Sequence, residues 1–85
     1  MMRIDVQDVK EAILDANCSG VSQVEMPRGE IAVVVRKDGY DVVLEAKLAD
    51  GKTLSNRSKN PLNYGELAFL SAEWLCSLQQ FVGEI

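Results

Sequence analysis

Histidine is missing from this chain of 85 residues, and two cysteines, two prolines and one tryptophan are all it has of those types. Without histidine neither a Ser-His-Asp nor a Cys-His relay can be assembled, and no imidazole is available to a metal. Cys18 and Cys76 fall short of the four protein ligands of a usual structural zinc site. Their expected state is reduced and largely buried, because free cysteine packs as a small hydrophobe. The six glycines stand singly at turn and cap positions, so none belongs to a phosphate-cradling loop. The carboxylates fall at positions expected to be exposed, where nothing tunes one into a general acid. The sequence therefore offers no catalytic residue, no metal site and no cofactor site, and an enzyme is not expected. No apolar run approaches the length of a membrane span, and Met1-Met2-Arg3-Ile4-Asp5 leads into a polar helix rather than an apolar leader. The expected location is the cytoplasm, with no membrane partner.

What is present suits one folded unit spanning residues 1–85. The apolar fraction of 47% argues against disorder. A net charge of −4 gives no general attraction to nucleic acid or anionic membrane, so such contact would need a local patch.

The stretch from Glu30 to Lys47 specifies a hairpin. Lys37-Asp38-Gly39-Tyr40 reads as a two-residue type I′ turn, with Asp-Gly supplying the positive φ angles. Pairing outward from Lys37 and Tyr40 sets Arg36 against Asp41, Val34 against Val43, Ala32 against Glu45 and Glu30 against Lys47. The opposite face then carries Val35 with Val42, Val33 with Leu44, and Ile31 with Ala46, as a half-buried antiparallel pair requires.

Residues 4–17 read as a helix, with Asp5 as N-cap, Asp8 completing a capping box, Ile4 stapled onto Val9, and Val6, Val9, Ile13 and Ala16 as its apolar stripe. Gly20 closes it. Residues 21–26 form a short strand that Pro27-Arg28-Gly29 turns into the hairpin. Asp50-Gly51 is a second turn and residues 52–55 return as a further strand. A strict two-residue turn would place Leu54 on the outer face, and a bulged one would place it inside. Residues 56–60 read as irregular. A helix capped by Asn60 or Asn63 then runs to Val82, with Gly83 beyond it, and Leu67, Leu70, Trp74, Leu78 and Phe81 form its core face. The expected fold is α+β, in the order α-β-β-β(-β)-α: an antiparallel meander of three or four strands with two helices packed on one face.

Three surfaces are candidates for function. Asp8, Glu11 and Asp15 share one face of the first helix. They are either an ordinary solvated face or a means of docking a basic partner. Lys52, Arg57 and Lys59 concentrate positive charge before the second helix, as a solvated connection or an anion-binding segment. Spare apolar surface lies at Val34 and Val43 on the sheet's outer face, and at Phe69, Ala72 and Cys76, a second stripe on the last helix. Either the rest of the chain covers it, or a partner does.

The order α-β-β-β-α resembles the topology of the double-stranded-RNA-binding domain, whose second helix begins beside a basic segment. That family's lysine cluster on the second helix is lacking, since the helix carries Glu66 and Glu73 with no Lys or Arg. The resemblance implies a nucleic-acid-binding module using Lys52, Arg57 and Lys59, as the alternative reading. The first reading is a small acidic protein-binding module of adaptor or inhibitor type. It would act by surface occupation, with another protein or a second copy of itself as partner.

Overall fold

Helix α1 (Val6–Ser19) starts where the sequence supplies a reciprocal cap. The Asp8 amide donates to Asp5 Oδ1 and the Asp5 amide to Asp8 Oδ2, each at 3.0 Å, so two otherwise unpaired helix-end donors are satisfied. At its far end Gly20 takes a φ of +88° and donates its N–H to Ala16 O. Val9, Ala12, Ile13 and Ala16 are the residues it buries. Val6, expected in that stripe, is exposed, because Ala12 lies nearer the centre of the arc that Val9, Ile13 and Ala16 define. Ile4 and Val9 are both buried in the core, as a hydrophobic staple requires.

The computed structural model describes residues 4–24 and 31–83. After α1 come β1 (Val21–Val24), β2 (Ile31–Asp38), β3 (Asp41–Leu48), β4 (Thr53–Lys59) and α2 (Tyr64–Val82). The strands form one antiparallel sheet in the order β1-β2-β3-β4, so the fold is α+β with the fourth strand present. Glu25 and Met26 of the expected first strand, the Pro27-Arg28-Gly29 turn, the Glu30–Lys47 pair and Ile85 lie outside the described residues. No described helix is long and apolar enough to cross a membrane.

The hairpin forms, but its register differs by two residues from the expected one. Asp38 faces Asp41, Lys37 faces Val42, Arg36 faces Val43, Val35 faces Leu44 and Val33 faces Ala46. The turn residues are thus Gly39 and Tyr40. A type I′ turn at Asp38-Gly39 would force a positive φ on Asp38. With Gly39 first, glycine alone carries it, at +63°, in the manner of a type II′ turn. A slip of two preserves the alternation, so the inner face is still Ile31, Val33, Val35, Val42, Leu44 and Ala46, all buried. Arg36 does not face Asp41, nor Val34 Val43.

At the second turn Leu48 N–H donates to Lys52 O and Gly51 N–H to Leu48 O, with Gly51 at φ +95°. This is the bulged alternative, and it places Leu54 opposite Ala46, inside. Residues 56–59, read as irregular, continue β4 instead. Their alternation was hidden because the inward positions of this edge strand, Leu54, Asn56 and Ser58, are only half-buried and mostly polar.

Asn63 caps α2. Its Oδ1 accepts from Glu66 N–H at 2.9 Å, and Glu66 Oε1 accepts from the Leu62 amide at 3.4 Å. Asn60 is not a cap: it exchanges side-chain amide hydrogen bonds with Asn17 and ties the end of α1 to the β4–α2 connection. Leu67, Leu70, Ser71, Trp74 and Leu78 are buried, Phe81 and Val82 pack at the core's margin, and the Ser71 hydroxyl donates to Leu67 O. Helix α1 covers β1 and β2, and α2 packs on α1 and β3, so β4 projects beyond the helical layer.

Trp74 is among the largest fully buried side chains. Replacing it with alanine should remove about 3–5 kcal/mol of stability in urea denaturation. A loss below about 1 kcal/mol would contradict its place at the centre of the core.

Candidate protein-contact surface

On the sheet's outer face the cations are held by carboxylates of neighbouring strands. Arg57, on β4, donates from Nη1 to Asp41 Oδ2 at 2.8 Å and from Nη2 to Asp38. Arg36 donates from Nε to Glu45 Oε1 at 2.8 Å, with Asp38 at 3.9 Å. Hydrogen bonding from Arg57, followed by its charge, holds the Asp38 carboxyl below its ordinary value of 3.8. The bonds that Arg57 donates to Asp38 and Asp41 raise its own pKa above the ordinary value. Val43 lies between Arg36 and Arg57 across the ladder and is buried, at 3% exposure. The expected outer apolar pair is therefore not open: Val43 is covered, and Val34, set opposite Glu45, is half-buried.

The expected basic segment is also divided. Lys52 and Lys59 flank opposite ends of a seven-residue strand, some 23 Å apart at about 3.3 Å per residue, and Arg57 between them is neutralised. Lys59 instead borders a hollow of about 510 Å³ with Lys37, Tyr40, Asp41, Leu62 and Glu66. On α1, Asp8 is engaged in the cap, while Glu11 and Asp15 are exposed and line none of the hollows around Pro61.

The second stripe on α2 is bare among the described residues. Phe69 is 72% exposed, and Ala72 and Cys76 are exposed beside it. Cys18 is exposed as well, so both thiols are free and outside the core, contrary to expectation. In each case other residues fill the core side of the helix, Leu70 and Trp74 on α2 and Ile13 and Ala16 on α1.

The most exposed large apolar groups lie outside the sites expected from the sequence. Tyr40 is 94% exposed, Leu62 87% and Tyr64 80%. They gather around Pro61, which borders three adjoining hollows. One, of about 200 Å³, lies between α1 and the β4–α2 connection, against Leu14, Leu62, Tyr64 and Leu67. A second, of about 350 Å³, runs between α2 and β4, against Ser58, Lys59, Phe69 and Leu70. The third is the hollow that Lys59 shares with Tyr40 and Leu62.

The chain around Pro61 is fixed at three points. Asn60 N–H donates to Tyr40 O at 3.0 Å, the Asn17–Asn60 pair closes on α1, and the Asn63–Glu66 cap fixes the start of α2. A signal for the site was available. Pro61-Leu62-Asn63-Tyr64 puts two large apolar residues around a cap, where the helical wheel gives them no core position. Among the described residues no three Cys, Asp or Glu side chains gather as a metal-binding group.

No protein-family model matches the chain, and no curated protein or solved structure matches it significantly.

The outer-face network gives a pH prediction. The folded-state pKa of Asp38 is depressed, so its contribution to stability is present above its unfolded value and is lost as pH falls through the lowered folded one. Arg57 is raised, so its contribution persists below its unfolded value and is lost only in strong alkali. Between neutral pH and about pH 2 the melting temperature should fall further in the wild type than in Asp38→Asn. Equal falls would show that the pairing contributes nothing.

Proposed function

We infer that this protein is a protein-binding module of adaptor or inhibitor type, acting by occupying a partner's surface and without catalysis. One observation carries the reading: Tyr40, Leu62, Tyr64 and Phe69, each more than 70% exposed, border a connected set of hollows around a backbone held by hydrogen bonds. Exposed aromatic and aliphatic groups on a preorganised backbone are what an interface uses, since tyrosine, phenylalanine and leucine bury large areas with few rotors to immobilise. Phe69 with Ala72 and Cys76 extends the apolar area along α2. Lys37, Lys59 and Glu66 provide a polar rim of mixed sign.

The acidic groups Glu11 and Asp15 would act at longer range, raising the encounter rate with a basic partner. The nucleic-acid reading has less support. Its central cation, Arg57, already donates to two carboxylates, and Lys52 lies a full strand from Lys59. A cytoplasmic location agrees with two exposed, unpaired thiols, which a reducing compartment preserves.

The test is affinity capture with three forms: wild type, Leu62→Ser with Tyr64→Ser, and Phe69→Glu. All the replaced side chains are exposed, so melting temperatures should stay within a few degrees of wild type. A partner held by the wild type should be lost or weakened at least about tenfold in the Leu62/Tyr64 variant, a cost near 1.4 kcal/mol. Equal capture by all three forms would remove this surface from the function.

A further inference from the structure

Among the described residues β4 leaves one edge unpaired, and Phe69 of α2 lines the groove beside it, so one occupant can cover both. We propose that a second copy of this chain adds its β4 antiparallel to β4 across a twofold axis at Asn56, making a continuous eight-stranded sheet. The proposal names what covers Phe69 and so rests to that extent on the interface reading of α2. It does not use Tyr40, Leu62 or Tyr64.

The edge is suited to pairing. Strand β4 is seven residues long, has no proline, and keeps an uninterrupted register with β3 from Thr53 to Lys59. Leu48 N–H donates to Lys52 O and Asn60 N–H to Tyr40 O, which fixes the phase of the ladder. The even-numbered residues from 52 to 60 turn their backbone groups to β3. Thr53, Ser55, Arg57 and Lys59 therefore turn theirs to the free edge. Such a row is a template for another strand.

Charge and overlap select the register. With Asn56 on the axis, all seven residues of β4 find partners: Thr53 with Lys59, Leu54 with Ser58, Ser55 with Arg57, and Asn56 with its own copy. Each cation faces a hydroxyl. Moving the axis to Arg57 would set two guanidinium groups directly opposite, which is unfavourable. In the chosen register the two Arg57 side chains are diagonal neighbours, each already bonded to Asp38 and Asp41 of its own chain.

Two further observations point to a second copy rather than a foreign peptide. Asn56 Nδ2 is buried and has no hydrogen-bond partner among the described residues. An orphaned buried donor costs about 1–3 kcal/mol. On the axis Asn56 occupies a non-hydrogen-bonded pair with Cα atoms about 4.5 Å apart, close enough for the amides to bond each other after a side-chain rotation. The Asn17–Asn60 pair already shows that reciprocal bond within this fold.

The second observation is the groove of about 350 Å³ between α2 and β4, which Phe69 and Leu70 line together with Lys59, Glu66 and Glu73. Pairing through β4 separates the two β3 strands by three spacings, about 14 Å. The α2 helices over them then face each other at a distance that Phe69 from each side can bridge, closing both grooves.

The decisive experiment joins sedimentation velocity over a concentration series with single-cysteine cross-linking. The wild type should pass from its 9.4 kDa mass to twice that value as concentration rises. Ser55→Pro removes an edge-facing N–H that β3 does not use. It should keep the melting temperature within a few degrees and move dimerisation to at least tenfold higher concentration. In a Cys18→Ser, Cys76→Ser background, Asn56→Cys should oxidise rapidly to a linked dimer, since its Cα separation matches disulfide geometry. Thr53→Cys, about 20 Å from its own copy in this register, should not.

A wild type of constant 9.4 kDa mass, a dimer indifferent to Ser55→Pro, or Asn56→Cys linking no faster than Thr53→Cys would each overturn the proposal. The Leu62/Tyr64 capture variant separates the two readings. A monomer that still captures its partner through those residues leaves the interface reading standing, and a β4-paired dimer that captures nothing leaves this one.

Discussion

The position of one positive φ angle governs most of this molecule. Gly39 takes it, and β2 and β3 then pair from Asp38 and Asp41 outward. From that register follow the buried inner row that the helices cover and the outer row in which Arg36 and Arg57 flank Val43. Had Asp38 carried the left-handed angle with Gly39, the same strands would have met two residues out of step. Arg36 would then face Asp41 directly, and Val43 would face Val34. The geometry of the β2–β3 turn decides which carboxylate each arginine meets, and with it how much apolar surface the outer face shows.

The strand alternation, the cap of α1, the glycines that end both helices and the main core were legible in the sequence because each rests on local chemistry. Asp5 and Asp8 complete a box within one turn of helix, and Gly20 and Gly83 end their helices where only glycine is comfortable. Leu67, Leu70, Trp74 and Leu78 repeat at helical spacing. A slip of two along a strand changes no residue's face, so the hydrophobic pattern could not choose between the two registers of the hairpin. Strand β4 was only half legible, because an edge strand lying mostly outside the helical layer can place Asn56 and Ser58 inward. The exposed thiols were missed for a different reason. Cysteine is usually buried, but here Ala16 and Trp74 occupy the buried positions nearby.

The candidate site was less legible than the fold. Phe69, Ala72 and Cys76 stand on the exposed stripe that helical spacing assigned them, yet the more exposed large groups belong to the hairpin tip and to the start of α2 and the connection ahead of it. Tyr40 and Leu62 are far apart in sequence, and the hydrogen bond from Asn60 to Tyr40 draws the hairpin tip to the segment before α2. Contacts of that kind arise from tertiary closure, which no spacing along the chain encodes. The basic segment shows the converse. Three cations close in sequence become one neutralised arginine and two lysines at opposite ends of a strand once β4 is extended.

The Asn17–Asn60 pair gives the fold an asymmetry of response. The outer face is bound by ionised groups, and acid or concentrated salt weakens attractions of that kind. The clamp between α1 and the β4–α2 connection is made of two neutral carboxamides, which neither titrate nor screen. A change in acidity or ionic strength therefore loosens the outer face of the sheet and leaves the Asn17–Asn60 clamp in place. The sheet's outer face thus senses its solution, while the tie between α1 and the connection ahead of α2 ignores it.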